Sequence, residues 1–147
     1  MATDLSLTLA EPIHQVESRI LYGDTDAGGV VYNANYSRFF ELGRGSFMRE
    51  LAFSYKELEE LGYVLPVVET YLRFKAPARY DDLIIIKTCL AALTPFTCRF
   101  HCHIFHADTN RLLVKGFTQH AAISHSGRLS RLPAGHLAKL EALVARR

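Results

Sequence analysis

Between Asn35 and Leu51 the chain carries Tyr36, Phe39, Phe40, Gly43, Phe47 and Leu51 at helical spacings. Residues that recur at this interval share one side of an α-helix, so the stretch predicts a long helix with a single, aromatic-rich face. Such a face must be covered, and that need restricts the fold more than any other feature of the sequence. Gly43 lies in the middle of the face. A glycine inside a helix is less stable than alanine by ~1 kcal/mol, so its place here points to another backbone packed close. Asn35 is positioned to cap the helix start. Residues 54–61 predict a second, short helix that stops at Gly62.

The covering layer is legible in the remaining pattern. Gln15–Tyr22 puts Val16, Ile20 and Tyr22 on one parity and charged Glu17 and Arg19 on the other, which predicts a half-buried strand. Val64 to Phe74 alternates in the same way, with Pro66 marking a strand start or an edge. Lys75-Ala76-Pro77 ends that pattern. A second apolar strand opens at Leu83, Phe96–His106 forms a third, and Leu112–Ser124 forms a fourth with Gly116 as a candidate bulge. Thr94-Pro95, Asp108-Thr109-Asn110 and Ser126-Gly127 supply turns. Pro133 opens a C-terminal helix carrying Leu137, Leu140 and Leu143. Consecutive strands joined by short turns imply an antiparallel sheet. One long helix against that sheet is an α+β arrangement, read as a single domain over residues 1–147 with residues 1–12 as a loose lead-in. The strands are apolar enough that the second sheet face is expected to meet a partner.

Composition excludes several classes. A chain of 147 residues with 49% apolar content is long and apolar enough for one real core. A formal charge of +2 is too small to argue for nucleic acid. Arg128, Arg131, Arg146 and Arg147 read first as a solvated tail and second as a contact for an anionic ligand such as a nucleotide phosphate. Cys89, Cys98 and Cys102 make no CxxC and are odd in number, so a disulfide framework is not expected and a reducing cytoplasm is. No apolar run approaches the ~20 residues that span a bilayer. His101 and His103 share a strand face without a metal-ligand spacing, so no metal is expected. Nucleotide-cradling glycine motifs and a GxSxG elbow are missing.

The chemistry concentrates in residues 22–36, Tyr-Gly-Asp-Thr-Asp-Ala-Gly-Gly-Val-Val-Tyr-Asn-Ala-Asn-Tyr. Asp26 sits beside a glycine pair that lets the backbone bend and approach a ligand. An ionised aspartate there can deprotonate water or attack a carbonyl. The competing reading is an Asx-turn, in which the side chain only bonds local amides. Asp24, two residues earlier, would perturb Asp26 if the loop held both carboxylates together. Backbone N–H groups near Asn33, at the helix start, would stabilise an oxyanion. Farther along, Glu41 and Arg44 either pair on the helix surface or line a groove.

This stretch, together with the following Phe-Phe-Glu-Leu-Gly-Arg, resembles the 4-hydroxybenzoyl-CoA thioesterase-like hotdog-fold proteins, closest to the group that includes the Tol–Pal-associated acyl-CoA thioesterases. The resemblance implies an antiparallel sheet wrapped around the long helix, edge-to-edge dimers that often pair into homotetramers, and active sites at the dimer interface. It implies hydrolysis of an acyl-CoA or acyl-carrier-protein thioester with no cofactor beyond the CoA of the substrate. It places Asp26 as base or nucleophile, the amide near Asn33 as oxyanion donor, and Tyr36 and Arg44 at the site. Many acyl-CoA relatives carry His where this chain has Asn33, and some relatives carry an amide at the Asp26 position. Two alternatives stand beside the hydrolase: a non-catalytic acyl-binding module, which would bind without turnover, and a hotdog enoyl hydratase or dehydratase. The second usually needs a His at the helix start, where Asn33 and Asn35 stand.

Overall fold

The computed structural model describes residues 3–146; Met1, Ala2 and Arg147 lie outside the described residues. The elements run β1 (His14–Arg19), a 3₁₀ turn (Tyr22–Asp24), α1 (Asn35–Leu51), α2 (Tyr55–Glu60), β2 (Tyr63–Val64), β3 (Val67–Phe74), β4 (Leu83–Leu93), β5 (Thr97–His106), β6 (Leu112–Ala121), β7 (Ile123–Ser124) and α3 (Ala134–Glu141). Five strands form one sheet in the order β1-β4-β5-β6-β3, every neighbouring pair antiparallel. The short strands β2 and β7 pair separately. Among the described residues no helix is long and apolar enough to cross a membrane.

Helix α1 lies against one face of the sheet because its aromatic face has no other place to go. Its first half packs Tyr36, Phe39 and Phe40 against Ile84, Ile86 and Ile104. Its second half packs Phe47 and Met48 into a second cluster with Leu90 and Phe100, closed by Leu58 of α2 and Leu137 and Leu140 of α3. Gly43 marks the close approach: a Cβ there would lie 2.6 Å from both Ile86 Cγ2 and Thr88 Oγ1. Gly116 is no bulge. It stays in register with Leu72 and Cys102, and the bulges fall at Val67/Glu69, Leu90/Ala92 and Ile104/Phe105. A side chain at 116 is excluded because its Cβ would meet the Tyr71 carbonyl at 2.0 Å and Phe40 Cε2 at 2.6 Å.

Three expectations are corrected at the edges of this core. The predicted strand from Val64 is split at Pro66, which separates β2 from β3, and the fourth strand breaks after Ala121. The lead-in is not loose over its described part. Leu7 is buried, Asp4 is ion-paired to Lys75 and, at 3.1 Å, to Lys115, and the Leu7 and Thr8 carbonyls accept from His103 Nε2 (2.7 Å) and His101 Nδ1 (3.0 Å). The arm thus covers part of the sheet face opposite α1, and the two histidines anchor it.

Candidate active site

Strand β1 ends before Ile20, and the chain then folds back on itself as an irregular hairpin. Asp24 and Tyr32 join at its base through Tyr32 N–H to Asp24 O (2.9 Å), Thr25 bridges Val31, and Asp26 N–H donates to Val30 O (2.9 Å). At the tip Gly29 adopts φ +78°, a left-handed conformation that an L side chain resists. Asp26 Oδ1 accepts from Gly28 N–H at 2.8 Å, so the Asx-turn does form. The residue is exposed. The two acids do not share one environment: Asp24 is buried, its Oδ2 accepting from Leu21 N–H (2.8 Å) and its Oδ1 ion-paired with Arg38.

After Tyr32 the chain enters α1. The helix begins at Asn35, and among the described residues no side chain caps it. Asn35 is inside the helix rather than its cap, and its Nδ2 donates instead to Asp24 O at 2.8 Å. The N–H groups of Asn33 and Ala34 make no backbone hydrogen bond among the described residues. Orphan donors at a helix start favour negative charge, and here they remain available.

A cleft of about 330 Å³ opens at this point, lined by Val30, Val31, Asn33, Tyr36, Phe74 and the 75–77 segment. Tyr36 and Phe74 meet edge to face, centroids 5.6 Å apart. Burial pushes the Tyr36 phenol pKa up, opposed by the Ala78 backbone, so the ring is a neutral wall at ordinary pH. The hairpin contributes Val30 and Val31 to the lining; Asp26 itself is not among the lining residues.

The structure therefore brings Asn33 and Tyr36 together beside the Asp26 hairpin, and leaves Glu41 and Arg44 elsewhere. Glu41 lines a separate groove between α1 and α2 with Arg38, Arg49 and Tyr55. Arg44 is half-buried, its charge acts on Tyr55 of α2 and on Cys98, Cys102 and His120 of β5 and β6, and it makes no ion pair with Glu41 among the described residues. Phe40 is wholly within the core against Gly116 and does not reach the cleft. Phe74 and the 75–77 segment were not anticipated as cleft wall. Their one sequence signal was the Lys-Ala-Pro break in the strand pattern, which reads equally as an ordinary strand end.

Residues 20–140 match the thioesterase-like superfamily, and the chain belongs to that family. It is 35% identical to the acyl-CoA thioester hydrolase YbgC of Escherichia coli O157:H7 over 94 residues, 64% of this chain and 70% of that protein. Among solved structures it is similar to a Bartonella henselae protein titled a probable thioesterase (33% identity, TM-score 0.77, 82% of this chain and 99% of the other). It is similar also to the hypothetical protein TT1821 of Thermus thermophilus (30% identity, TM-score 0.81, 90% and 100%). The sheet wrapped around α1 is the hotdog fold that the sequence resemblance implied.

Proposed function

We propose that the protein hydrolyses acyl-CoA thioesters, at a site completed when two copies join along β3. The observation that carries this reading is the uncapped start of α1 opening beside an aromatic-walled cleft, with the Asp26 hairpin folded against the same helix start. The thioester carbonyl oxygen is placed on the Asn33 N–H, where developing negative charge meets an unused donor. Asp26 acts as the base that activates water, or as the nucleophile. Its Oδ1 is fixed by Gly28, and Oδ2 accepts no hydrogen bond among the described residues, which leaves it for the reaction. Val30, Val31, Tyr36 and Phe74 surround the acyl or pantetheine chain. CoA enters as part of the substrate, and the mechanism uses no metal and no further cofactor.

The thioesterase membership and the YbgC relative favour CoA thioesters over an acyl-carrier-protein substrate or a hydratase reaction. The exposure of Asp26 in one chain is the reason for invoking a second copy, since a general base works best where water is limited. Thiol release measured over a panel of acyl-CoA chain lengths, on wild type and Asp26→Asn, tests the reading. The expected result is turnover of at least one chain class and a fall in kcat of about a hundredfold in the variant, the contribution of a general base. Binding without turnover across the panel returns the protein to an acyl-binding module, and equal turnover in the variant removes Asp26 from the mechanism.

A further inference from the structure

Asp24 holds together the parts that the proposed chemistry needs at a fixed distance. Its carboxylate accepts from Leu21 N–H at the end of β1 and pairs with Arg38, one turn into α1. Its carbonyl accepts from Tyr32 N–H on the return limb of the hairpin and from the Asn35 side chain at the helix start. Four segments therefore meet at one buried residue: the strand end, both limbs of the hairpin base, and the first turn of α1. Asp26 is two residues up one limb, and Asn33 follows Tyr32 on the other. The hairpin above the base is narrow and internally bonded, from the Thr25–Val31 bridge to the Asp26–Val30 hydrogen bond. A small rigid hairpin keeps its shape. Its tilt against the helix is set at the base, where Asp24 grips Arg38 and Asn35.

We propose that Asp24 is a positioning residue, which through the Arg38 ion pair and the Asn35 amide sets the Asp26 carboxylate against the oxyanion donor at the start of α1. This rests on the reading of Asp26 as the reacting acid. Asp24 itself is unavailable for chemistry, because it is buried with both oxygens engaged. Its contribution is geometric. Misplacement of a reacting group by 1 Å can lower a rate by about a hundredfold.

Removing the carboxylate from this half-buried ion pair also destabilises the fold around it, so reduced activity alone does not separate positioning from folding. A double-mutant cycle does. Thiol release and thermal melts are measured for wild type, Asp24→Asn, Asp26→Asn and the double variant with one acyl-CoA substrate. Asp24→Asn is expected to lower kcat by about tenfold to a hundredfold with KM within about twofold. In the Asp26→Asn background the same substitution is expected to change kcat by less than about twofold, since there is no longer an acid to position. The loss in melting temperature is expected to be the same in both backgrounds. Arg38→Gln breaks the pair from its exposed side and serves as the second probe if Asp24→Asn does not fold; the same pattern is expected of it. Equal fold-losses in both backgrounds overturn the positioning role and leave the Asp26 reading standing. Full activity in Asp26→Asn overturns the Asp26 reading and this proposal with it.

Discussion

Three glycines in this chain have opposite expected responses to alanine, and the difference comes from what each missing Cβ would touch. At Gly116 the new methyl would strike the Tyr71 carbonyl across the sheet at 2.0 Å, and a paired backbone cannot move away. At Gly43 it would strike two side chains at 2.6 Å. At Gly45 it would meet nothing within 4 Å, on a helix that gains from alanine. Urea unfolding is expected to rank them: Gly116→Ala loses at least about 2 kcal/mol, Gly43→Ala loses less, and Gly45→Ala gains about 0.5–1 kcal/mol. A neutral or stabilising Gly116→Ala would mean that the sheet and α1 are not as close as described.

His120 makes a second residue-scale case. Its Nδ1–H donates to Leu65 O at 2.9 Å and its Nε2 accepts from Thr118 Oγ1 at 2.8 Å, which uses both nitrogens of a neutral ring. Burial, with the nearby Arg44 charge adding to it, pushes the imidazole down to about 4, against the Leu65 hydrogen bond. The unfolded ring titrates near ~6.5, so between those values the unfolded chain binds more protons than the folded one. Stability from this group is complete above ~6.5 and is lost as pH falls toward 4, by up to about 3 kcal/mol. His103, lowered by burial, acts in the same direction. Denaturant midpoints measured from pH 4.5 to 7.5 should rise with pH, and His120→Gln should flatten the curve; an unchanged slope in that variant would assign the dependence to other groups.

At the level of elements, legibility followed how many forces agreed. The face of helix α1 was readable because periodicity and the burial of Tyr36, Phe39, Phe40 and Phe47 point the same way, against the low helix propensity of Gly43 and Gly45; Leu51, read on the same face, is exposed at the helix end. The strands were readable as runs, since β4 and β5 alternate buried and half-buried positions. Their ends were not. The cut at Pro66 depends on β2 pairing with β7, a long-range choice that local sequence does not encode. Gly116 was misread for the same reason: a glycine within a strand pattern looks identical whether it makes a bulge or admits a ring from the layer below. The arm over the outer sheet face rests on Asp4, Leu7 and Thr8 finding partners on β5, β6 and beyond β3, and no periodicity announces such contacts. The site divides likewise. Asn33 and Tyr36 of the cleft wall are close in sequence and were readable together. Phe74 reaches the cleft only through the sheet, and Arg44 was drawn inward by a core that the helix pattern alone did not reveal.

The whole molecule turns on the edge at β3. Among the described residues β3 pairs within the main sheet only with β6, and Val67, Val68 and Phe74 are among the large apolar side chains left exposed. A long exposed edge with apolar side chains at both ends is a template for another strand, and monomers ordinarily protect it. The cleft lies at the Phe74 end of the same strand, so a second copy added there would build a wall beside the Asp26 hairpin. A two-fold axis would run the two β3 strands antiparallel and make the pair of sites equivalent. On the proposed reading assembly and activity are linked, and both should respond to a single charge on the edge. Val68 is 60% exposed, falls at the bulge and has no partner in β6, so Val68→Asp disturbs little inside the chain. Sedimentation equilibrium is expected to show wild type as at least a dimer and Val68→Asp shifted to monomer at micromolar concentration. The variant's circular dichroism should be native, and its thiol-release activity should fall at least about tenfold. An active monomer would place the whole site within one chain and remove the need for a partner; an inactive variant that remains dimeric would move the interface to another edge.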